Sequence, residues 1–319
     1  MHPLALHLTI LVAAGAIGVL GHLAAAAAGT TPALRFWEEA LPGTPVPDVI
    51  ADLVQKGIDR SPLVEHYPVT KNGVADGSKI NYAYASCRRG CQDKAKQLPA
   101  GFYFQQAQVR VGRTMTVYLP AAAPPNPILP RDVASRVPFS NLPDVLAKFN
   151  IAPSSADAAV VAADTLSLCE ASPPAGEQKA CATSLEAIVG GATRMLAGGG
   201  RGAVYWAASS ALPRAGLPLR QYAVQAVTPL AGDRHVGCHG LPYPYAVYYC
   251  HMTGRPTKAY AVTLAGDGGS PPVTMAALCH LDTSNWDPTH PAFEMLHTRP
   301  GAAPVCHFMS YANLLFGAN

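Results

Sequence analysis

GCHGLPYPYAVYYCHMTG, residues 237–254, decides how this chain is to be read. Two Cys-His dipeptides, Cys238-His239 and Cys250-His251, enclose the strand-like run Tyr245–Tyr249. Two more, Cys279-His280 and Cys306-His307, follow, with 10, 27 and 25 residues between successive pairs. The chain has only 11 His in 319 residues, so four cysteines each followed by His form a specific pattern. On an extended strand, neighbouring side chains point to opposite faces. A Cys-His pair on a strand therefore sends its sulfur one way and its imidazole the other. Four such strands would bury their sulfurs as disulfides on one side and gather imidazoles on the other. Four neutral imidazoles, His239, His251, His280 and His307, make a nitrogen-rich set suited to Cu(II) or Zn(II), and a tetragonal arrangement would favour copper. The alternative is that the cysteines are structural bridges and the histidines pack beside them, hydrogen-bonded and metal-free. A Cys2His2 zinc finger does not match these spacings. His290 and His297 lie nearby as spare ligands or ordinary polar residues.

The start of the chain sets the expected compartment. No Asp, Glu, Lys or Arg occurs from Met1 to Thr31, and the first charge is Arg35. Apolar runs at Leu4–Leu6, Leu8–Ala14 and Ile17–Leu20 lead into Ala24–Ala28, an ending of the Ala-x-Ala kind that a signal peptidase cuts. Residues 1–28 are thus expected to be a signal peptide. A basic segment ahead of the apolar run is missing, and the stretch is long enough to span a bilayer, so a retained anchor is the alternative. No other stretch approaches that length. After the leader come eight cysteines, Cys87, Cys91, Cys169, Cys181, Cys238, Cys250, Cys279 and Cys306, an even set for an oxidising, secreted environment. Thiolate ligands are not expected there. There is no Asn-x-Ser/Thr acceptor for N-glycosylation.

Composition excludes several classes. Charged residues make up 13%, the formal net charge is +3, and Gly (28) and Pro (30) are abundant. A highly charged disordered chain, collagen and a long coiled coil are ruled out. So is a dense phosphate-binding field, hence no nucleic-acid partner. Many prolines and glycines with few charges predict short strands and many turns.

Residues 32–60 read as an amphipathic helical piece broken by the LPGTPVP run at 41–47, with Phe36, Trp37, Val49, Ile50, Leu53 and Val54 as its apolar positions. The basic knot Arg88, Arg89, Lys94 and Lys96 lies around Cys87 and Cys91 in a turn-rich stretch, and reads as a solvated loop or as a contact for an acidic polysaccharide. From Phe102 the alternation Phe102–Phe104, Val109, Val111, Met115, Val117, Leu119 predicts a hairpin around Gly112. A short helix is expected over Leu142–Phe149 with Asn141 as N-cap, and a longer one from about Glu177 to Leu196, with Leu185, Ile188, Val189 and Met195 buried. Strands are expected at Tyr222–Val227, Tyr245–Tyr249, Ala259–Leu264 and Val273–Leu278, the last two flanking a Gly-Asp-Gly-Gly turn at 266–269. The fold class that follows is α+β, strand-rich toward the C-terminus and disulfide-bridged. No internal repeat occurs, nor any GxSxG, HExxH or GxGxxG motif, and the carboxylates form no paired motif.

With those residues in view, the chain resembles the plant BURP-domain proteins, whose hallmark is four CH dipeptides at these spacings. Phe102-Tyr103-Phe104, LPRDVASRVPFSNLPDVLAKFNI (129–151), CATSLEAIV (181–189), YPYAVYYCH (243–251), KAYAVTLAG (258–266) and CHLDTSNWDPTHPAF (279–293) all look like family blocks. RFWEEALPGTPVP (35–47) is similar to the segment after the leader in many members. The resemblance covers roughly 102–316, so the expected layout is signal peptide 1–28, N-terminal segment and linker 29–101, and BURP domain 102–316. One position departs: nine residues after the last CH the family usually has Trp, and here stands Phe316, which keeps aromatic volume but not the indole N–H. The resemblance implies a secreted plant protein of the apoplast or cell wall, with no membrane attachment after signal cleavage. It implies copper on His239, His251, His280 and His307. The favoured role is a non-catalytic module that binds wall polysaccharide or a wall enzyme. The alternative is a copper-dependent cyclase crosslinking Trp or Tyr side chains of a separate peptide. A self-modifying cyclase is disfavoured, because Trp37 is the one Trp ahead of Phe102 and Tyr67, Tyr82 and Tyr84 are unrepeated. For the bridges, Cys169–Cys181 is expected, closing a loop worth roughly 3 kcal/mol in the chain-entropy model. Cys87–Cys91 is the simplest local pair, and the four CH cysteines are left to pair among themselves in an order the sequence leaves open.

Overall fold

The computed structural model describes residues 31–60 and 101–319, apart from 120, 122–125, 174–175, 198–202 and 267–270. Two antiparallel sheets form its body. The first has six strands: β1 (Tyr103–Gln105), β2 (Thr114–Leu119), β5 (Leu217–Leu230), β8 (Thr257–Gly266), β9 (Val273–His280) and β10 (Val305–Phe308), in the spatial order β1-β10-β9-β8-β5-β2. The second runs β3-β7-β6-β11-β4, from β3 (Gln178–Ala182), β7 (Val247–Met252), β6 (Val236–Leu241), β11 (Leu314–Ala318) and β4 (Tyr205–Ala208). With helices around them, this is the expected strand-rich α+β class.

Alternation along each strand sorts the core. On β9, Met275, Ala277 and Cys279 join one apolar cluster with Phe104, Phe293 and Phe308, whereas Ala276 and Leu278 join another with Leu315 of β11. The two sheets therefore meet face to face, Ala259, Ala276 and Leu278 against Leu315, with Met309 in the same cluster and Ala208 packed alongside. The far face of the five-stranded sheet is covered by helix α7 (Leu185–Leu196), which buries Leu185, Ile188, Val189 and Met195 as its periodicity predicts. Gly191 of this helix faces β3, where a Cβ would meet that of Ala180 at 3.7 Å, an ordinary contact. Helices α1 (Pro32–Ala40) and α2 (Asp48–Arg60) extend the same cluster, where Trp37 lies 6.3 Å from Phe316, ring centre to ring centre. Phe316 is fully buried, so the aromatic volume is used for packing.

The remaining helical pieces among the described residues are α3 (Arg131–Ala134), α4 (Leu142–Lys148), α5 (Ala156–Val160), α6 (Ser167–Glu170) and α8 (Pro291–Met295), with a 3-10 turn at Gln106–Gln108 and a π-helical stretch at Val161–Leu166 between α5 and α6. Asn141 caps α4 by accepting the Asp144 amide through Oδ1 at 3.5 Å.

Two local expectations need correction. Phe102–Phe104 and Met115–Leu119 are both extended, but β1 and β2 lie at opposite edges of the six-stranded sheet, paired with β10 and β5. Alternation reports that a strand has a buried face; it does not name the strand's neighbour. The helix expected from Glu177 begins only after Ser184, whose Oγ accepts the Ala187 amide at 3.2 Å. Residues 178–182 are instead a strand on β7, with Cys181 opposite Tyr249 and bonded to Cys169 of α6. Among the expected strands, Tyr245–Tyr249 is shifted, the observed element being Val247–Met252, and the Ala259 and Val273 strands pair as a hairpin whose turn lies outside the described residues.

Candidate metal centre

The four dipeptides occupy four strands, two in each sheet. Register places Cys238 opposite Cys250 on β6 and β7, and Cys279 opposite Cys306 on β9 and β10. Both pairs are disulfides, with Cα atoms 4.0 and 3.9 Å apart. Each bridge staples adjacent strands of one sheet, and each points away from the other sheet. Cys238 and Cys250 sit in the cluster under α7, while Cys279 and Cys306 sit among Phe104, Phe293 and Phe308. Cys87 and Cys91 lie outside the described residues, as does the basic knot around them.

The imidazoles take the opposite direction and meet between the sheets. His239 lies 5.4 Å from His251 and 6.1 Å from His307, and His307 lies 5.6 Å from His280 in a stacked arrangement, all between ring centres. The His239–His307 contact joins one sheet to the other. His239, His280 and His307 are 1%, 5% and 4% exposed. His251 is only partly buried and is the member nearest solvent. Burial disfavours the charged ring, so His251 and His307 are each pushed down to about 4. His239 and His280 fall well below the ordinary value through burial first, then through repulsion among the rings. At neutral pH the cluster is four uncharged imidazoles.

Their second nitrogens are held differently. His307 donates Nδ1–H to the Phe308 carbonyl at 3.3 Å, which puts the proton of the neutral ring on Nδ1 and the lone pair on Nε2. His239 Nδ1 lies 3.2 Å from the Asn313 amide nitrogen, a donor, so here Nδ1 accepts. His280 Nδ1 is buried with no hydrogen-bond partner among the described residues. Gly237, two residues before His239 on the same face, supplies the room for that ring: a Cβ there would lie 3.1 Å from His239 Nε2 and 3.9 Å from His251 Nε2.

This set suits a borderline metal ion in kind, being all nitrogen, uncharged and buried, with an orphan nitrogen on His280. The rings are gathered but not at coordinating positions: among the described residues, no three or more His, Cys, Asp or Glu side chains are placed to hold an ion.

Aromatic residues enclose the cluster, and the dipeptide pattern does not announce them. Trp286 lies 4.9 Å from His280 and 4.6 Å from His290, and Phe102 stacks at 6.1 Å from His307. His290 caps α8, its Nδ1 accepting the Ala292 amide at 3.3 Å, and touches Tyr103 at 5.6 Å. His297 is exposed, in a left-handed conformation just after α8. Tyr103 and Trp286 stand in the two family-like blocks, which is the one sequence signal that marks them. Asn313 has no such signal.

Comparison with known proteins agrees with this architecture. The BURP domain model matches residues 102–318. Protein RAFTIN 1B of Triticum aestivum is 38% identical over 97% of this chain and 95% of its own length. BURP domain-containing protein 13 of Oryza sativa subsp. japonica is 43% identical over 78% of this chain and 63% of its own, and BURP domain protein RD22 of Arabidopsis thaliana is 34% identical over 76% and 62%. The chain belongs to the BURP-domain family of plant proteins.

Proposed function

We propose that this protein is a secreted, disulfide-stapled module of the plant apoplast or cell wall that binds a copper ion at its histidine cluster without acting as a catalyst. His251, His280 and His307 would hold the ion, with His239 as the fourth ring; bound copper would supply redox capacity and a strong cross-link between the sheets. The observation that carries the non-catalytic reading is burial. Among the described residues three of the four rings are 5% exposed or less, which disfavours direct access by a Trp or Tyr of another peptide. Only His251 faces outward. A binding role toward wall polysaccharide or a wall enzyme then falls to the surface, with the cluster serving stability.

Titration of the metal-free full chain with Cu(II), followed by elemental analysis, tests this. The expected result is a single copper per chain, lost in His307→Ala and accompanied by a higher Tm in the wild type. A folded chain that takes up no copper overturns the metal assignment. Incubation with Trp- and Tyr-containing peptides, copper and oxygen should leave their masses unchanged. A product two hydrogens lighter would establish the cyclase alternative instead.

A further inference from the structure

Asn313 stands directly across from the cluster. Leu314 pairs with Cys238 and Leu315 with Gly237, so the register brings Asn313, the residue just before β11, alongside His239. It is 1% exposed. Its amide can be oriented without ambiguity, because one of its partners is a backbone N–H. Gly240 donates its amide hydrogen to Asn313 Oδ1 at 3.2 Å. Nδ2 therefore faces the other way, donating to Ser310 Oγ at 2.7 Å and to His239 Nδ1 at 3.2 Å. The turn that carries it is fixed as well, by the Asn313 amide donating to the Ser310 carbonyl at 3.1 Å and by Ala312 at φ 63°.

A neutral imidazole has one N–H and one lone pair. With the lone pair of Nδ1 spent on Asn313, the proton of His239 must sit on Nε2, the nitrogen that lies over Gly237 beside His251 Nε2. His307 is arranged the opposite way, with its proton on Nδ1 toward Phe308. We infer that Asn313 is a positioning residue that sets the tautomer of His239, so that this ring presents an N–H to the cluster while His307 presents a lone pair. For His239 Nε2 to become a ligand, its proton must move to Nδ1 and the Asn313 amide must turn over. Turning it brings Nδ2 against the Gly240 N–H, which then loses its acceptor. The fold therefore sets a cost on using His239, and the other rings take an ion first. This deepens the metal-binding reading and rests on it only for its consequence; the tautomer belongs to the metal-free protein.

The direct test is a long-range proton–nitrogen NMR correlation of the ring nitrogens in the metal-free full chain at pH 7.5. His239 is expected to show its proton on Nε2 and His307 on Nδ1. In Asn313→Asp the carboxylate still accepts from Gly240 but can only accept from His239, so the proton should move to Nδ1. A wild-type His239 protonated on Nδ1 overturns the inference, and that spectrum decides it even if the variant fails to fold. The consequence is read by Cu(II) titration. In the wild type, His239→Ala should change affinity less than twofold and His307→Ala at least tenfold, whereas Asn313→Asp should bind about tenfold more tightly, in the range second-sphere changes produce. Equal losses on removing His239 and His307 would count against it. Absence of copper binding in every variant would sink the functional reading alone, since the tautomer is measured without metal.

Discussion

The cluster has two halves that share a motif and differ in nearly everything the motif does not encode. On β6 and β7 the Cys238–Cys250 bridge spans 12 residues of sequence; on β9 and β10 the Cys279–Cys306 bridge spans 27. Both pairs sit at matched cross-strand positions and bury their sulfurs away from the opposing sheet. The imidazoles diverge. His239 accepts from a side-chain amide and lies over a glycine, and His251 looks toward solvent. His307 donates to a carbonyl, and His280 packs on Trp286. Strand alternation, a property of the backbone, thus fixes where the sulfurs and rings go. The protonation pattern is set locally and differently for each ring: by a residue 74 positions away for His239, by the adjacent Phe308 carbonyl for His307.

The largest expected effect is a dependence of stability on pH, to which rings of both halves contribute. His307 has an ordinary pKa near 6.5 when unfolded and about 4 when folded. A lowered folded value means the unfolded chain takes up the proton first as pH falls. The stabilisation from keeping the ring neutral is complete above about pH 6.5, declines from there, and is gone below about pH 4. For this ring the loss is up to about 3 kcal/mol. His251 and His290, also pushed down to about 4, act in the same direction. Urea unfolding of the metal-free protein between pH 7.5 and 4 should show a monotonic fall, and His307→Gln should flatten it. A stability independent of pH over that window would mean the rings are not buried neutral. Copper should deepen the fall, since protons compete for the same nitrogens.

Next comes the pair of staples. In the chain-entropy model, removing the short bridge by Cys238→Ala with Cys250→Ala costs about 3 kcal/mol, and removing the long one by Cys279→Ala with Cys306→Ala about 3.5 kcal/mol. Both double variants should fold with lower urea midpoints, the second slightly lower. A reversal of that order would show that packing around the sulfurs, not loop length, decides the difference.

How much of this could be read in advance follows the same division. Cysteine and histidine on one strand must part company, so the sulfur side and the imidazole side were legible in the dipeptides alone. Helix α7 was legible from Leu185, Ile188, Val189 and Met195, though its start was not, because residues 178–182 are committed to β7 by partners about 70 residues away. The separation of β1 and β2 was hidden for the same reason. Asn313 was invisible: a lone Asn in SYANLL gives no hint that β11 will lie against β6. Trp286 sat in a recognisable block, but only the folded chain sets it on His280.

The smallest effect is also the sharpest test of the asymmetry. On each CH strand, the residue two before the histidine shares its face: Gly237, Tyr249, Leu278 and Val305. Only at His239 is that residue a glycine, and there the ring lies back over its own strand. Gly237→Ala places a methyl 3.1 Å from Nε2, tighter than ordinary contact, while also lowering the backbone entropy of the unfolded chain. The ring is pinned on its far side by Asn313, so it cannot retreat without breaking that hydrogen bond. The crowding should prevail, with a net loss of about 1 kcal/mol, at the low end for an overpacked interior. Urea unfolding of Gly237→Ala beside Asn313→Ala and the double variant measures this. If the ring is held between the two, the combined loss falls short of the sum, because freeing one side relieves the other. Strictly additive losses would mean that Gly237 and Asn313 act on His239 independently, and that the two halves of the cluster differ less than their hydrogen bonds indicate.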